Sequence, residues 1–350
     1  MISACFLIPG DLATPTGGYA YARRLLTDLS DRGVDVAAVT LPGSFPHPMP
    51  VDLAATAAAF ANTPRDAVLL VDGLAYGALP PEIIASADSR PIVALVHHPL
   101  GLEAGLGADE ADRLMASERA ALALAARVVV TSRFTRSLLV SEFGVPAGRI
   151  GVAEPGTDPA TRAASSGSRR VSLLAVGAVT PRKGFDLLVQ ALATLADLDW
   201  HLTIAGACDR SPDHVAALRG AITAAGLDGR ITLAGTVSPR RLAELYDRAD
   251  TVVSPSLFEG YGMALAEALA HGLPVVATTG GAAAETVPDE AGLKVAPGDA
   301  NALAAALRLM IGDPERRRAA SDAAWEAGNA LPRWRDTAAI VAAILKEARS

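Results

Sequence analysis

Two glutamates eight positions apart, Glu259 and Glu267, frame the segment of this sequence best suited to chemistry. Between them lies the turn Gly260-Tyr261-Gly262, followed by an alanine-rich run with helical character. Glycines in such a turn leave backbone N–H groups bare, and a helix that starts just after them points its positive end at the same place. An anion is the natural guest. At about 1.5 Å rise per residue, Glu267 falls roughly 8 Å beyond Gly262, the scale of the gap between a diphosphate and a ribose. One carboxylate can then address a sugar and the other a nucleoside ribose. Taken alone, two glutamates on an alanine-rich helix also read as solvated surface charge; Pro255 before the turn and the apolar run Leu273 to Thr278 after it favour a site.

A second group of interest is Thr180-Pro181-Arg182-Lys183-Gly184, between a strand ending at Gly177 and a helix beginning near Gly184. Open α/β sheets bind ligands outside the carboxyl ends of their strands. Arg182 and Lys183, the first lysine in the chain, would project there, and a dianionic leaving group needs fixed positive charge. In the first half, Gly17 and Gly18 follow an apolar run and open a helix, as a backbone anion cradle does, although a double glycine is also common in ordinary turns. His97 and His98 end the run Pro91 to Val96. Neighbouring strand residues point to opposite faces, so the two are not expected to chelate one metal.

The spacing Glu, seven residues, Glu, with a glycine-aromatic-glycine turn after the first, resembles the signature of family-4 retaining glycosyltransferases of the GT-B fold, the glycosyl transferases group 1. The resemblance implies that Glu259 and the amides of Gly260, Tyr261 and Gly262 hold the donor sugar and phosphates, and that Glu267 accepts hydrogen bonds from the ribose hydroxyls. In that family a Gly-Arg followed by Lys-Gly neutralises the donor diphosphate. Here Ala178 stands where the arginine usually is, leaving Lys183 with Arg182 as the substitute. Gly17 and Gly18 become the loop closing over the phosphates from the acceptor side. His97 becomes the residue near the donor sugar and acceptor, with His98 taking that place if the strand ends earlier and a core histidine as the other reading. Val237, in the loop Gly235 to Pro239, becomes the main-chain contact to the nucleobase edge. Glu285 follows Gly280-Gly281 one residue later than the family pattern has it.

Positioning these residues requires a framework of parallel strands. Short apolar runs bounded by turn residues alternate with helical patterns throughout, the mark of doubly wound α/β architecture. The expected strands are Ser3 to Ile8, Val34 to Thr40, Ala67 to Val71, Pro91 to Val96, Arg127 to Thr131 and Arg149 to Ala153. The second half adds Ser172 to Val176, Trp200 to Ala205, Ile231 to Ala234, Thr251 to Ser254 and Pro274 to Ala277. With the resemblance, this makes an α/β GT-B protein with two Rossmann-like domains facing across a cleft. Residues 1–160 form the acceptor-side domain and 171–332 the nucleotide-sugar domain, with 333–350 a helix crossing back to the first. The small, polar stretch Asp158 to Arg170 reads as an exposed linker.

Composition narrows the remaining choices. A chain of 350 residues suggests two domains, and 51% hydrophobic with only 4% aromatic residues calls for cores of Ala, Leu and Val. The net charge is −7 and residues 1 to 182 contain no lysine, which argues against nucleic-acid binding and constitutive attachment to an anionic membrane. Transient membrane association stays open. The run Ile2 to Ile8 lacks a basic leader and breaks at Pro9-Gly10, reading as a first strand, and no apolar stretch is long enough for a transmembrane helix. Cys5 and Cys208 show no metal spacing or disulfide framework and read as small buried hydrophobes. A cytoplasmic location is the default. Dehydrogenase, P-loop and acyl-transfer motifs are missing, and Asp197-Leu-Asp199 precedes a strand instead of ending one, the wrong edge for a magnesium site.

The expected activity is therefore sugar transfer from a nucleoside-diphosphate sugar to a hydroxyl acceptor (glycan, lipid or small metabolite), by a retaining, metal-independent front-face route with no cofactor. Two alternatives stand beside it. One is a nucleotide-sugar epimerase of the same architecture; the other is a non-catalytic sugar-nucleotide binding protein, which Ala178 would favour.

Overall fold

The computed structural model describes residues 1–349. The chain divides into two compact units, one of Met1–Gly156 with the residues from Pro332 onward, the other Thr157–Leu331. The first unit holds a six-stranded sheet of β1 (Ile2–Pro9), β2 (Val34–Leu41), β3 (Val68–Asp72), β4 (Ile92–Val96), β5 (Arg127–Val130) and β6 (Ile150–Val152), in the order β2-β1-β3-β4-β5-β6. The second unit repeats the plan with β7 (Val171–Val176), β8 (Trp200–Ala205), β9 (Ile231–Gly235), β10 (Thr251–Ser254), β11 (Val275–Thr278) and β12 (Gly292–Val295), in the order β12-β11-β10-β7-β8-β9. Every strand pairing is parallel.

Burial explains the sequence pattern strand by strand. The central strands β3 and β4 are buried at every residue and, apart from the terminal Asp72, are continuous Val, Leu, Ile and Ala, as strands covered on both faces must be. The edge strands β2 and β9 alternate between covered and exposed positions. Both cores are built of Leu, Val, Ile and Ala, with Tyr21, Tyr76, Trp200 and Tyr246 among the largest fully buried side chains.

Strand order fixes where ligands can go. In the first sheet the order reverses between β1 and β3, and in the second between β7 and β10. At such a reversal the two following loops diverge to opposite faces and leave a crevice at the carboxyl ends of the strands. The loop after β1 leads into the helix that opens with Gly17 and Gly18, β3 ends on Asp72, and the loops after β7 and β10 carry Arg182, Lys183 and Glu259.

Several details differ from the sequence expectations. β12 is a twelfth strand that the apolar pattern misses, because Gly292-Leu293-Lys294-Val295 starts on glycine and contains a lysine. β3 runs one residue later than expected and ends on Asp72. The stretch from 158 to 170 is largely exposed, yet it is pinned to the second unit: Ala163 N donates to His271 O (2.9 Å), Ala164 N to Asp247 Oδ1 (3.2 Å), and the Ser165 hydroxyl to Asp250. Cys5 is buried, but Cys208 is only half-buried. The helix Trp334–Arg349 lies on the first unit, where a Cβ on Gly151 would come within 2.3 Å of Ile344, and Thr337 Oγ1 donates to Glu154 O (2.7 Å). No helix among the described residues is long and apolar enough to cross a membrane.

Candidate active site

In the second unit, β7 leads through Gly177 into the short turn Pro181–Lys183. Gly184 ends that turn at φ +63°, and a Cβ there would sit 2.4 Å from Pro255 O, so only glycine lets this turn pack beneath the loop after β10. Leu257 N donates to Arg182 O (2.8 Å) and ties the two loops together. Lys183 and Arg182 thereby converge on Glu259. Lys183 Nζ is 2.6 Å from Glu259 Oε1, which also accepts from Ser256 Oγ at 2.6 Å, while Arg182 Nη1 is 3.6 Å from Oε2 and donates to Phe258 O (2.7 Å).

Glu259 is only 7% exposed. Burial on its own raises its pKa, but the charges of Lys183 and Arg182, with the Lys183 and Ser256 hydrogen bonds, outweigh burial and hold the carboxyl below its ordinary value. Its backbone is clamped as well: Glu259 N donates to Gly280 O (3.1 Å) and Ala282 N to Glu259 O (2.8 Å). The carboxylate is thus a fixed anion already engaged by two cations, and a phosphate arriving nearby would compete for them.

Gly262, at φ +94°, caps the helix Met263–Ala270; its carbonyl accepts from Leu265 N (2.8 Å) and Ala266 N (3.1 Å), which leaves the N–H groups of Met263 and Ala264 at the helix start without an intrahelical acceptor. Tyr261 is buried, its carbonyl accepting from Thr286 Oγ1 (2.6 Å), and Gly260 is half-buried beside it. Farther along the helix Glu267 accepts from the Tyr246 hydroxyl at 2.9 Å. Burial raises its pKa, the Tyr246 bond opposes that, and the nearby Asp158 charge adds to the rise. Tyr246 stacks on His271 with centroids 4.9 Å apart, and Val237 packs against the same apolar cluster as Tyr246. Glu285 is exposed, and Asp197 and Asp199 are surface carboxylates paired with Arg308 and Arg170.

In the first unit, a cavity of about 350 Å3 opens beside Gly18, Asp72, His97 and His98. Thr16 caps the helix Gly17–Asp28, receiving Tyr19 N at 3.3 Å; Gly17 is exposed at its start. A Cβ on Gly18 would lie 3.5 Å from the His97 ring, so the glycine backbone forms one wall against that imidazole. The edge of Tyr21 meets the same ring at 5.1 Å, its hydroxyl fixed on Ala153 O (2.9 Å). His98 Nε2 lies 3.4 Å from Glu103 Oε2. Both imidazoles line one cavity, contrary to the expectation of opposite faces, because β4 stops at Val96 and strand alternation no longer governs the two residues after it.

Asp72 is the site residue that the sequence reading missed. The β3–β4 register aligns it with Leu95, so it emerges beside His97, with Oδ2 3.9 Å from His97 Nε2. Its Oδ1 caps the short helix after β3 by accepting Leu74 N at 2.9 Å. Burial pushes its pKa up to about 6, the Leu74 bond opposing, and burial pushes His97 down to about 4. His97 Nε2 is buried without a hydrogen-bond partner. Beneath the cavity, Glu118 Oε2 accepts Leu100 N (2.8 Å), while burial lifts this carboxyl to about 8 against the pull of that bond. A strand-end Asp followed by Gly73, whose Cβ would lie 2.7 Å from Leu95 O, was the available signal for Asp72; Glu118 left none in its helical context.

Residues 170–313 match the family model for Glycosyl transferases group 1, and residues 15–161 match that for Glycosyltransferase Family 4. Together the two matches take in most of the chain. The chain belongs to glycosyltransferase family 4. Among curated relatives, the D-inositol 3-phosphate glycosyltransferase of Pseudarthrobacter chlorophenolicus is 34% identical over 235 residues, covering 62% of this chain and 54% of the relative. That of Arthrobacter sp. is 34% identical over 208 residues, 55% of this chain and 49% of the relative. The chain spans about half the length of the curated relatives it matches.

Solved structures share the fold over the whole chain. Sucrose-phosphate synthase from Thermosynechococcus elongatus superimposes with a TM-score of 0.82 at 24% identity, covering 98% of both chains. Anabaena HepE, solved in complex with UDP and glucose, gives a TM-score of 0.79 at 19% identity over 98% of this chain and 100% of its own. The fold of this family-4 chain is therefore GT-B. The Glu259, Glu267 and Lys183 segments all lie inside the group 1 match, and Gly17, Gly18, Asp72 and His97 inside the family-4 match.

Proposed function

We propose that this family-4 protein transfers a sugar from a nucleoside-diphosphate sugar to a hydroxyl acceptor, with retention at the anomeric carbon and without a metal ion. The observation that carries this reading is the convergence of Lys183 and Arg182 on buried Glu259, beside a glycine-capped helix start. Two fixed cations and helix amides are what a departing diphosphate needs. Arg182, within 3.6 Å of Glu259, supplies the charge that Ala178 cannot. Glu267, oriented by Tyr246, accepts the ribose hydroxyls, and the amides of the turn at Gly260, Tyr261 and Gly262 take the phosphates. Gly17 and Gly18 serve as the phosphate loop of the first unit, and Val237 offers its main chain to the base. A structural relative captured with UDP-glucose supports a uridine donor as the first to try.

In the transfer, the bond from the anomeric carbon to the diphosphate oxygen breaks as the acceptor oxygen bonds to that carbon on the same face. The acceptor proton passes to the departing phosphate oxygen, so no carboxylate nucleophile is required. His97, neutral at ordinary pH, and Asp72 position the acceptor hydroxyl, and catalysis rests on placement and electrostatics.

The test is incubation with UDP-, GDP-, ADP- and TDP-sugars and a panel of hydroxyl acceptors, with and without EDTA, following nucleotide release and the anomeric configuration by proton NMR. Acceptor-dependent release with an unchanged configuration and no EDTA effect is expected. An inverted product removes the front-face route, an EDTA-sensitive rate removes metal independence, and an epimerised sugar nucleotide without acceptor supports the epimerase instead.

A further inference from the structure

The relatives described above are named for inositol 3-phosphate, yet the cavity of the first unit is poorly equipped for a phosphate. Among the described residues lining it there is neither lysine nor arginine. Arg23, on the adjoining helix, is spent on Leu12 O (2.5 Å) and Thr14 O (3.3 Å), and Arg24 lies over Trp334 at 5.6 Å.

Imidazoles do not make up the deficit. Each of the three has a carboxylate beside it: His97 with Asp72 at 3.9 Å, His98 with Glu103 at 3.4 Å, and His47 with Glu110 at 3.6 Å. A proton gained by any of these rings would be balanced by an acid already present. A phosphate monoester entering here would give up water for a site with no surplus positive charge, and burying an unpaired anion is costly.

What the cavity does offer is an apolar wall, from Pro46, Leu74, Leu100, Leu106 and Leu114, facing hydrogen-bonding groups on Asp72 and His97. Its volume of about 350 Å3 is at the small end of ligand pockets, room for one ring and a short tail. We propose that the acceptor is an uncharged hydroxyl compound of about one sugar ring bearing an apolar substituent, and that phosphorylated polyols are excluded. This rests on the transferase reading above, with the cavity as its acceptor site. Asp72 and His97 take the reacting hydroxyl, and the leucines cover the substituent.

The experiment measures binding of octyl β-D-glucoside, below its micelle-forming concentration, and of inositol 3-phosphate to the full chain by calorimetry. UDP, GDP, ADP and TDP are titrated in parallel. Leu74 is 36% exposed at the cavity, so Leu74→Asp is expected to keep the fold, which a thermal melt of the variant checks. Saturable glucoside binding, weakened at least tenfold by Leu74→Asp, with inositol 3-phosphate at least tenfold weaker and nucleotide binding the same in both proteins, is the expected result. Inositol 3-phosphate binding as tightly as the glucoside, or glucoside binding that is absent or indifferent to Leu74→Asp, overturns the acceptor proposal and leaves the donor reading standing if a nucleotide binds. Failure of all four nucleotides sinks the donor reading, and the acceptor role with it.

Discussion

Lys183 Nζ lies 2.6 Å from Glu259 Oε1, and both side chains are largely withdrawn from water. From sequence, the partner of Lys183 is a ligand; in the fold it is a protein carboxylate. Lys183→Ala therefore leaves Glu259 with one cation, Arg182 at 3.6 Å, beside the Ser256 hydrogen bond, and stability should fall by about 3 kcal/mol, as for a broken buried pair. Adding Glu259→Gln should cost less than the sum of the two single changes. Urea unfolding of the four proteins checks this, and unchanged stability in Lys183→Ala would mean that the pair contributes nothing to the fold.

Glu267 has one oxygen committed to Tyr246, and the proposed ribose contact would fall to the other. Glu267→Ala should weaken binding of the preferred nucleoside diphosphate by about 1–3 kcal/mol. Tyr246→Phe keeps the stack on His271 but releases the carboxylate, and should cost about 1 kcal/mol in the same titration. Equal affinity in wild type and Glu267→Ala would take the ribose away from this residue.

Burial pushes the Asp72 carboxyl up to about 6 from its ordinary 3.8. If its ionised form receives the acceptor hydroxyl, kcat/KM should drop as pH falls through about 6. Asp72→Asn keeps an oxygen to cap Leu74 N, so the fold should survive, while the acidic limb disappears and the rate at neutral pH falls about 10- to 100-fold. A persisting acidic limb in Asp72→Asn would assign the titration to another group.

Glu118 gives a stability signal that is independent of catalysis. Its carboxyl has an ordinary pKa of 4.5 and about 8 in the fold. Between those values the unfolded chain is ionised while the folded protein keeps its proton, so the group's contribution is complete below 4.5 and lost as pH rises to about 8. Glu118→Gln removes that dependence and should raise stability by about 1–3 kcal/mol at pH 8.5 relative to the parent, with little change at pH 4.5. Thermal melts across that range measure it; parallel curves for the two proteins would show that Glu118 is not the titrating group.

The sequence was most readable where one residue type has one job. Continuous apolar runs marked the central strands because both of their faces are covered, and glycines marked Gly184 and Gly262 because a side chain cannot occupy those positions without strain. Asp72 was lost to a one-residue error in a strand end, and its meaning depends on β3 pairing with β4, a contact between distant residues. β12 escaped because Lys294 hides its charge through bonds to Val287 O and Asp289, which no local pattern announces. The Lys183–Glu259 pair spans 76 positions and needed the strand reversal between β7 and β10 to bring it together.

The helix Trp334–Arg349 is packed into the first unit, where Trp334, Val341 and Leu345 are buried and Gly151 and Gly156 are shaped to receive it. Synthesis proceeds from the amino end, and domains generally fold as they emerge from the ribosome. The second unit is contiguous and can close as soon as it is made, but the first must wait, its apolar face uncovered, for a segment translated after the whole of the other has been completed. During that interval the nascent chain carries a half-finished first unit, and truncation ahead of Trp334 would leave that state permanent.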